Sequence, residues 1–108
     1  MTSFDDREKA YEKKFANDEE LKFKASARRN KLLGRWAAEQ MGITGDEVEQ
    51  YAKSVVLADL EEPGEEDVFR KIRGDFDEKK IDQSDHQIRR TMEELMVEAI
   101  SQIEQERG

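Results

Sequence analysis

Residues 84–103 read SDHQIRRTMEELMVEAISQI. Ser84 and Gln87 stand three apart, the spacing at which each side chain caps the other's backbone N–H at the start of a helix. From there Ile88, Met92, Leu95, Met96, Ala99 and Ile103 return at intervals of three and four, one apolar stripe of a helix running to about residue 105. The same period recurs upstream, and nowhere does the chain alternate cleanly as a half-buried strand would. The fold class is therefore all-α.

Working back from that helix, Val68, Phe69, Ile72 and Phe76 make the apolar face of a third one over about residues 65–77. Its first turn carries Glu65, Glu66 and Asp67, which suit the positive end of a helix dipole. Gly74 reads as the place where it frays. Pro63, in the run EEPGEE, separates it from a second helix over about 45–60, because proline disfavours helical geometry in the residue before it. Thr44 and Glu47 form a capping box there, and Val48, Tyr51, Ala52, Val55 and Val56 make its face. The first helix, about 18–41, opens on Asn17 with Glu20 and carries Leu32, Leu33, Trp36, Ala37 and Met41. Gly42 is placed to end it in a left-handed cap. Short connections make neighbouring helices pack antiparallel, so residues 17–108 are expected to form a four-helix bundle.

Composition bounds what such a bundle can do. The 108 residues include 27 acids and 19 bases, a net charge of −8, with 43% charged and 35% hydrophobic residues. One core fits that length and two do not. An acidic balance argues against nucleic acid or an anionic membrane as the main partner, since both need a basic surface. The absence of cysteine removes disulfides and thiolate chemistry and suits a reducing compartment. No apolar run is long enough for a membrane span, and the start, MTSFDDREKA, is no signal peptide, so a soluble intracellular protein is expected.

Active-site chemistry is sparse. His86 is the single histidine and has no second His or Cys with which to hold a metal, so a surface role is expected. No nucleophile elbow, Walker loop or dinucleotide fingerprint occurs. No cofactor and no catalytic residue are expected. Charge is distributed unevenly: residues 21–38 hold six bases and no acid, and residues 44–67 hold nine acids and one base. Pairing between these two segments across an antiparallel contact is the reading the pattern favours. The competing one is a site for a polyanion such as a nucleotide, since Lys24, Arg28, Lys31 and Arg35, spaced four, three and four, share one helix face.

Residues 1–16 stand apart, with eight charged residues and Phe4, Tyr11 and Phe15 as one narrow stripe at i, i+7 and i+11. An isolated helix this short is marginal in water, so a flexible N-terminal arm is expected. Aromatics on one face are the residue type that carries interface energy. Burying three of them does not offset the entropy of ordering the segment, so a partner must offer a deep cleft with paired charges.

The stretches FDDREKAYEKKFANDEELKFKASARRNKLLGRWAAE (4–39), EDVFRKIRGDF (66–76) and HQIRRTMEELM (86–96) resemble the zeta subunit of alphaproteobacterial F-type ATP synthases over essentially the whole chain. The resemblance implies a regulatory inhibitor rather than an enzyme: a four-helix bundle whose N-terminal arm inserts as a helix between alpha and beta subunits near the gamma stalk and blocks ATP hydrolysis. The arm corresponds to residues 1–18, with Phe4, Arg7, Tyr11, Lys14 and Phe15 as expected contacts. The implied partners are the alpha, beta and gamma subunits, with weak nucleotide binding as an addition and neither nucleic acid nor membrane insertion. The implied location is cytoplasmic, peripheral to the inner membrane through the synthase. Relatives carry His near position 17 where this chain has Asn17, so no pH switch is implied.

Overall fold

A computed structural model describes residues 19–61 and 64–107. The arm, the Asn17 cap and the Pro63 break lie outside the described residues. Four helices follow in order: α1 (Glu19–Gln40), α2 (Asp46–Glu61), α3 (Glu65–Lys79) and α4 (Asp85–Arg107). No strand occurs among the described residues. α1 packs most extensively on α2 and next on α4. α3 closes the ring between α2 and α4 and touches α1 least.

The helix ends show why the elements stop where they do. After α1, Gly42 sits at φ 76°, the Ile43 N–H donates to the Ala38 carbonyl at 2.9 Å, and the Gly42 N–H donates to that of Glu39 at 3.1 Å. This is a Schellman motif, as the glycine predicts. α4 opens on the expected reciprocal box: the Gln87 N–H donates to Ser84 Oγ at 3.1 Å and the Ser84 N–H to Gln87 Oε1 at 2.9 Å.

Two ends differ from the sequence reading. α2 is preceded by Gly45 at φ 67° and opens on Asp46, so its start lies one residue beyond the Thr44 box. α3 does not fray at Gly74. It continues to Lys79, because glycine opposes a helix only by a modest propensity cost and Ile72 and Phe76 on either side of it are buried in the core. It ends instead at Lys80, held at φ 58°, with Ile81 N–H to Phe76 O at 2.8 Å and Lys80 N–H to Asp77 O at 3.2 Å. That is a second Schellman motif, built on a residue for which the left-handed conformation costs about 1–2 kcal/mol. Ile81 packs on the core and offsets that cost.

The main core gathers Leu33 and Ala37 of α1, Val55 of α2, Val68, Phe69, Ile72 and Phe76 of α3, and Ile88 and Met92 of α4. Trp36 leans on Phe76 with ring centroids 5.6 Å apart and a 55° tilt. A second cluster, Leu21, Ala25 and Ile103, joins the start of α1 to the end of α4.

Close approach of α1 and α2 depends on Gly34. A Cβ there would lie 2.5 Å from Ala52 Cα, inside the partner backbone. Gly34→Ala gains about 1 kcal/mol of helix propensity. It also forces the helices apart, at an overpacking cost of about 1–3 kcal/mol or more. The expected result is a lower urea midpoint, and a more stable variant would contradict the contact.

Candidate functional site

α1 lines the floor of an open cleft of about 750 Å³, with Val56 of α2 on one wall and Ile103 and Glu106 of α4 on the other. The helical repeat brings Lys24, Arg28 and Lys31 into this cleft beside Phe23 and Ala27. Arg35, the fourth residue of the basic face, does not line it.

Each base except Lys31 is in an ion pair among the described residues. Arg28 donates to Gln102 Oε1 at 2.8 Å and lies 2.7 Å from Glu106 Oε1. Lys24 meets Glu20 one turn earlier at 3.3 Å. Arg35 grips Glu49 with two bonds, 2.8 and 3.3 Å. The Arg35 hydrogen bond holds the Glu49 carboxyl below the usual carboxylate range, against the small effect of burial. Lys31 is exposed and makes no ion pair among the described residues. An anion entering the cleft would compete with Glu20 and Glu106 for Lys24 and Arg28, whereas Lys31 has only the longer-range attraction of Glu49 among the described residues. Pairing between the basic and acidic segments occurs at Arg35–Glu49 and at Arg29–Glu65, 3.5 Å, whereas Arg28 turns to α4 and Lys24 to its own helix.

Sequence reasoning missed two features. Arg29 and Asn30 are buried, 2% and 0% exposed, although they sit in the basic run. Arg29 Nε donates to Asn30 Oδ1 at 2.7 Å, while Asn30 Nδ2 has no hydrogen-bond partner among the described residues. Phe23, in contrast, is 60% exposed. Its position between Lys22 and Lys24, off the Leu33–Ala37 stripe, was the available signal.

Away from the cleft, Tyr51 Oη donates to Asp75 Oδ2 at 2.6 Å, and Lys71 donates to the same oxygen at 3.1 Å. Burial, reinforced by the Asp75 carboxylate, pushes the Tyr51 phenol well above its ordinary pKa, so it stays neutral and joins α2 to α3. His86 is exposed in the first turn of α4. Among the described residues no group of three or more acidic or histidine side chains could hold a metal ion, and no helix is long and apolar enough to cross a membrane. Phe4, Arg7, Tyr11, Lys14 and Phe15 lie outside the described residues.

Comparison with known proteins completes the picture. The chain is similar to a protein solved in solution by NMR, with 49% sequence identity and a TM-score of 0.70, over 80% of this chain and 98% of that one. No curated protein matches it. The family profile described as ATPase inhibitor subunit zeta matches residues 1–102, taking in the arm together with most of the bundle. On that match the chain belongs to the ATPase inhibitor subunit zeta family.

Proposed function

We propose that this chain is a non-catalytic regulatory subunit that inhibits ATP hydrolysis by the F-type ATP synthase, through insertion of residues 1–16 at an alpha/beta catalytic interface near the gamma stalk. One observation carries the proposal: the family match begins at residue 1, so the segment with the aromatic stripe belongs to the inhibitor pattern along with the helices. Division of labour supports it as well. α1 to α4 bring their own stripes together in one core, and Phe4, Tyr11 and Phe15, with Arg7 and Lys14, are the residues assigned to the partner contact. A segment that orders only on binding can be gated by a cleft that opens and closes with rotation. The bundle then serves as the stop outside the cleft. The test compares inhibition of a purified catalytic head by the full chain and by a chain lacking residues 1–16. Equal inhibition by the two would overturn the proposal.

A second reading, binding of a nucleotide or another polyphosphate, is favoured by the convergence of Lys24, Arg28 and Lys31 on one cleft next to an exposed aromatic ring. ATP titrated into isotope-labelled protein is expected to shift the amides of these three residues and of Phe23. Arg35, held by Glu49, is expected to move little. Unchanged spectra at saturating ATP would dispose of this reading.

A further inference from the structure

α3 is weak at both ends and in its middle. Its N-cap, Gly64, sits at φ 146°, a conformation that favours glycine, and it offers no side-chain acceptor to the free N–H groups of the first turn. At the other end Lys80 holds a left-handed cap that glycine would adopt without strain. Between them stands Gly74, which no neighbour requires, since a Cβ there would meet nothing within 4 Å. α4, in contrast, opens on a reciprocal cap and has no glycine along its length.

The seat of α3 carries a weakness of its own. Arg29 of α1 is 2% exposed, and its Nη1 lies 3.5 Å from Glu65 Oε1, at the first residue of α3. A guanidinium has five N–H donors, and here the acceptors among the described residues are Asn30 Oδ1 and that one carboxylate. Burying such a group with donors left over is costly, and water reaching it from the α3 side would remove the cost. α3 also approaches α1, α2 and α4 over shorter stretches than α1 approaches α2 and α4.

The other three helices are joined by contacts that include no residue of α3. Gly34 lets α1 lie directly on Ala52 of α2, and Arg35 grips Glu49 on the outside of that contact. Leu21, Ala25 and Ile103 join α1 to α4, beside the bonds from Arg28 to Gln102 and Glu106. What keeps α3 closed is Val68, Phe69, Ile72 and Phe76 in the main core. Its polar ties add less: Arg89–Glu66 is exposed and Tyr51–Asp75 is only partly buried.

Proteins open in contiguous units whose free energies range up to that of global unfolding. We infer that α3 is such a unit, a lid that unwinds and leaves the groove between α1, α2 and α4 while those three helices stay paired. Its departure uncovers Leu33, Ala37, Val55, Ile88 and Met92 as one apolar strip. The open form is too scarce to distort a bulk unfolding curve, so the lid and a single cooperative transition are compatible.

Native-state hydrogen exchange of the full chain, followed by NMR in low urea, tests the lid. The amides of Phe69, Ile72 and Phe76 are expected to exchange at least tenfold faster than those of Leu33 and Ala37. They are also expected to share one opening and to depend less steeply on urea, because that opening exposes less surface than global unfolding does. Ile103→Val is a mild truncation in a cluster without α3 residues. It is expected to speed exchange at Leu33 and Ala37 about 2–12-fold and to leave the three α3 amides unmoved. Gly74→Ala is expected to slow those α3 amides about fivefold. Equal rates in α3 and α1, or α3 amides that follow Ile103→Val as α1 does, would mean that the bundle opens only as a whole and would overturn the inference. So would α3 amides indifferent to Gly74→Ala.

Discussion

Deleting residues 1–16 is expected to weaken inhibition of ATP hydrolysis at least tenfold while the bundle keeps a single cooperative unfolding transition. Tenfold corresponds to about 1.4 kcal/mol of binding, a low bar for the loss of three aromatic anchors when single interface hot spots often exceed about 2 kcal/mol. The bundle keeps its fold because its stripes find one another: Leu33, Val55, Ile72, Phe76 and Ile88, all fully buried, come from four different helices and meet in one cluster. Thermal melting of the truncated chain should shift by only a few degrees. Circular dichroism checks the fold and a coupled ATPase assay checks the function. Loss of both together would mean that the segment supports the core, and the division of labour would fail.

Phe76→Ala is expected to give the largest loss of stability of any single substitution in the chain, about 3–5 kcal/mol. Phe76 is fully buried, lies against Trp36 and sits in the last turns of α3, where Ile81 folds back over the core. Truncation removes its transfer energy, the tilted ring contact and the filler of the space between α1 and α3. For a domain whose total stability lies in the range of about 5–15 kcal/mol, that removes between about a fifth and nearly all of it. The urea midpoint should fall with little change in slope. A loss under about 1 kcal/mol would be inconsistent with a buried ring at this position.

Much of this architecture was legible in the chain because its signals are local. Ser84 with Gln87, and Gly42 after the Trp36 stripe, act through hydrogen bonds spanning a few residues, and the structure makes those bonds. Gly74 misled because glycine raises the cost of a helix without forbidding it, and the packing of Ile72 and Phe76 on either side overrides that cost. Burial of Arg29 and Asn30 could not be read from a run of bases. It depends on where α2 and α3 cross α1, which is a tertiary fact. The basic face was legible as a face, since spacing fixes it, but the partners of its members were not. Arg28 reaches Glu106, 78 residues along the chain, and no local rule links the two. The contact residues expected in the N-terminal segment rest on the family pattern and the aromatic stripe alone.

The ion pairs between helices have a consequence for uniqueness. Apolar stripes of Leu, Val, Ile and Met are similar in shape, so four of them could close a core in more than one arrangement, including one that winds the other way. Charges distinguish the alternatives. Arg35–Glu49 joins α1 to α2, Arg28–Glu106 joins α1 to α4, Arg89–Glu66 joins α3 to α4, and Tyr51–Asp75 ties α2 to α3. Each adjacent pair of helices thus carries its own match, and exchanging the places of two helices would separate these partners and set unmatched charges against one another. Singly, such exposed pairs deepen the native well very little. Collectively they raise its competitors, so a chain that is 43% charged uses part of that charge to make one winding of the bundle the only one worth adopting.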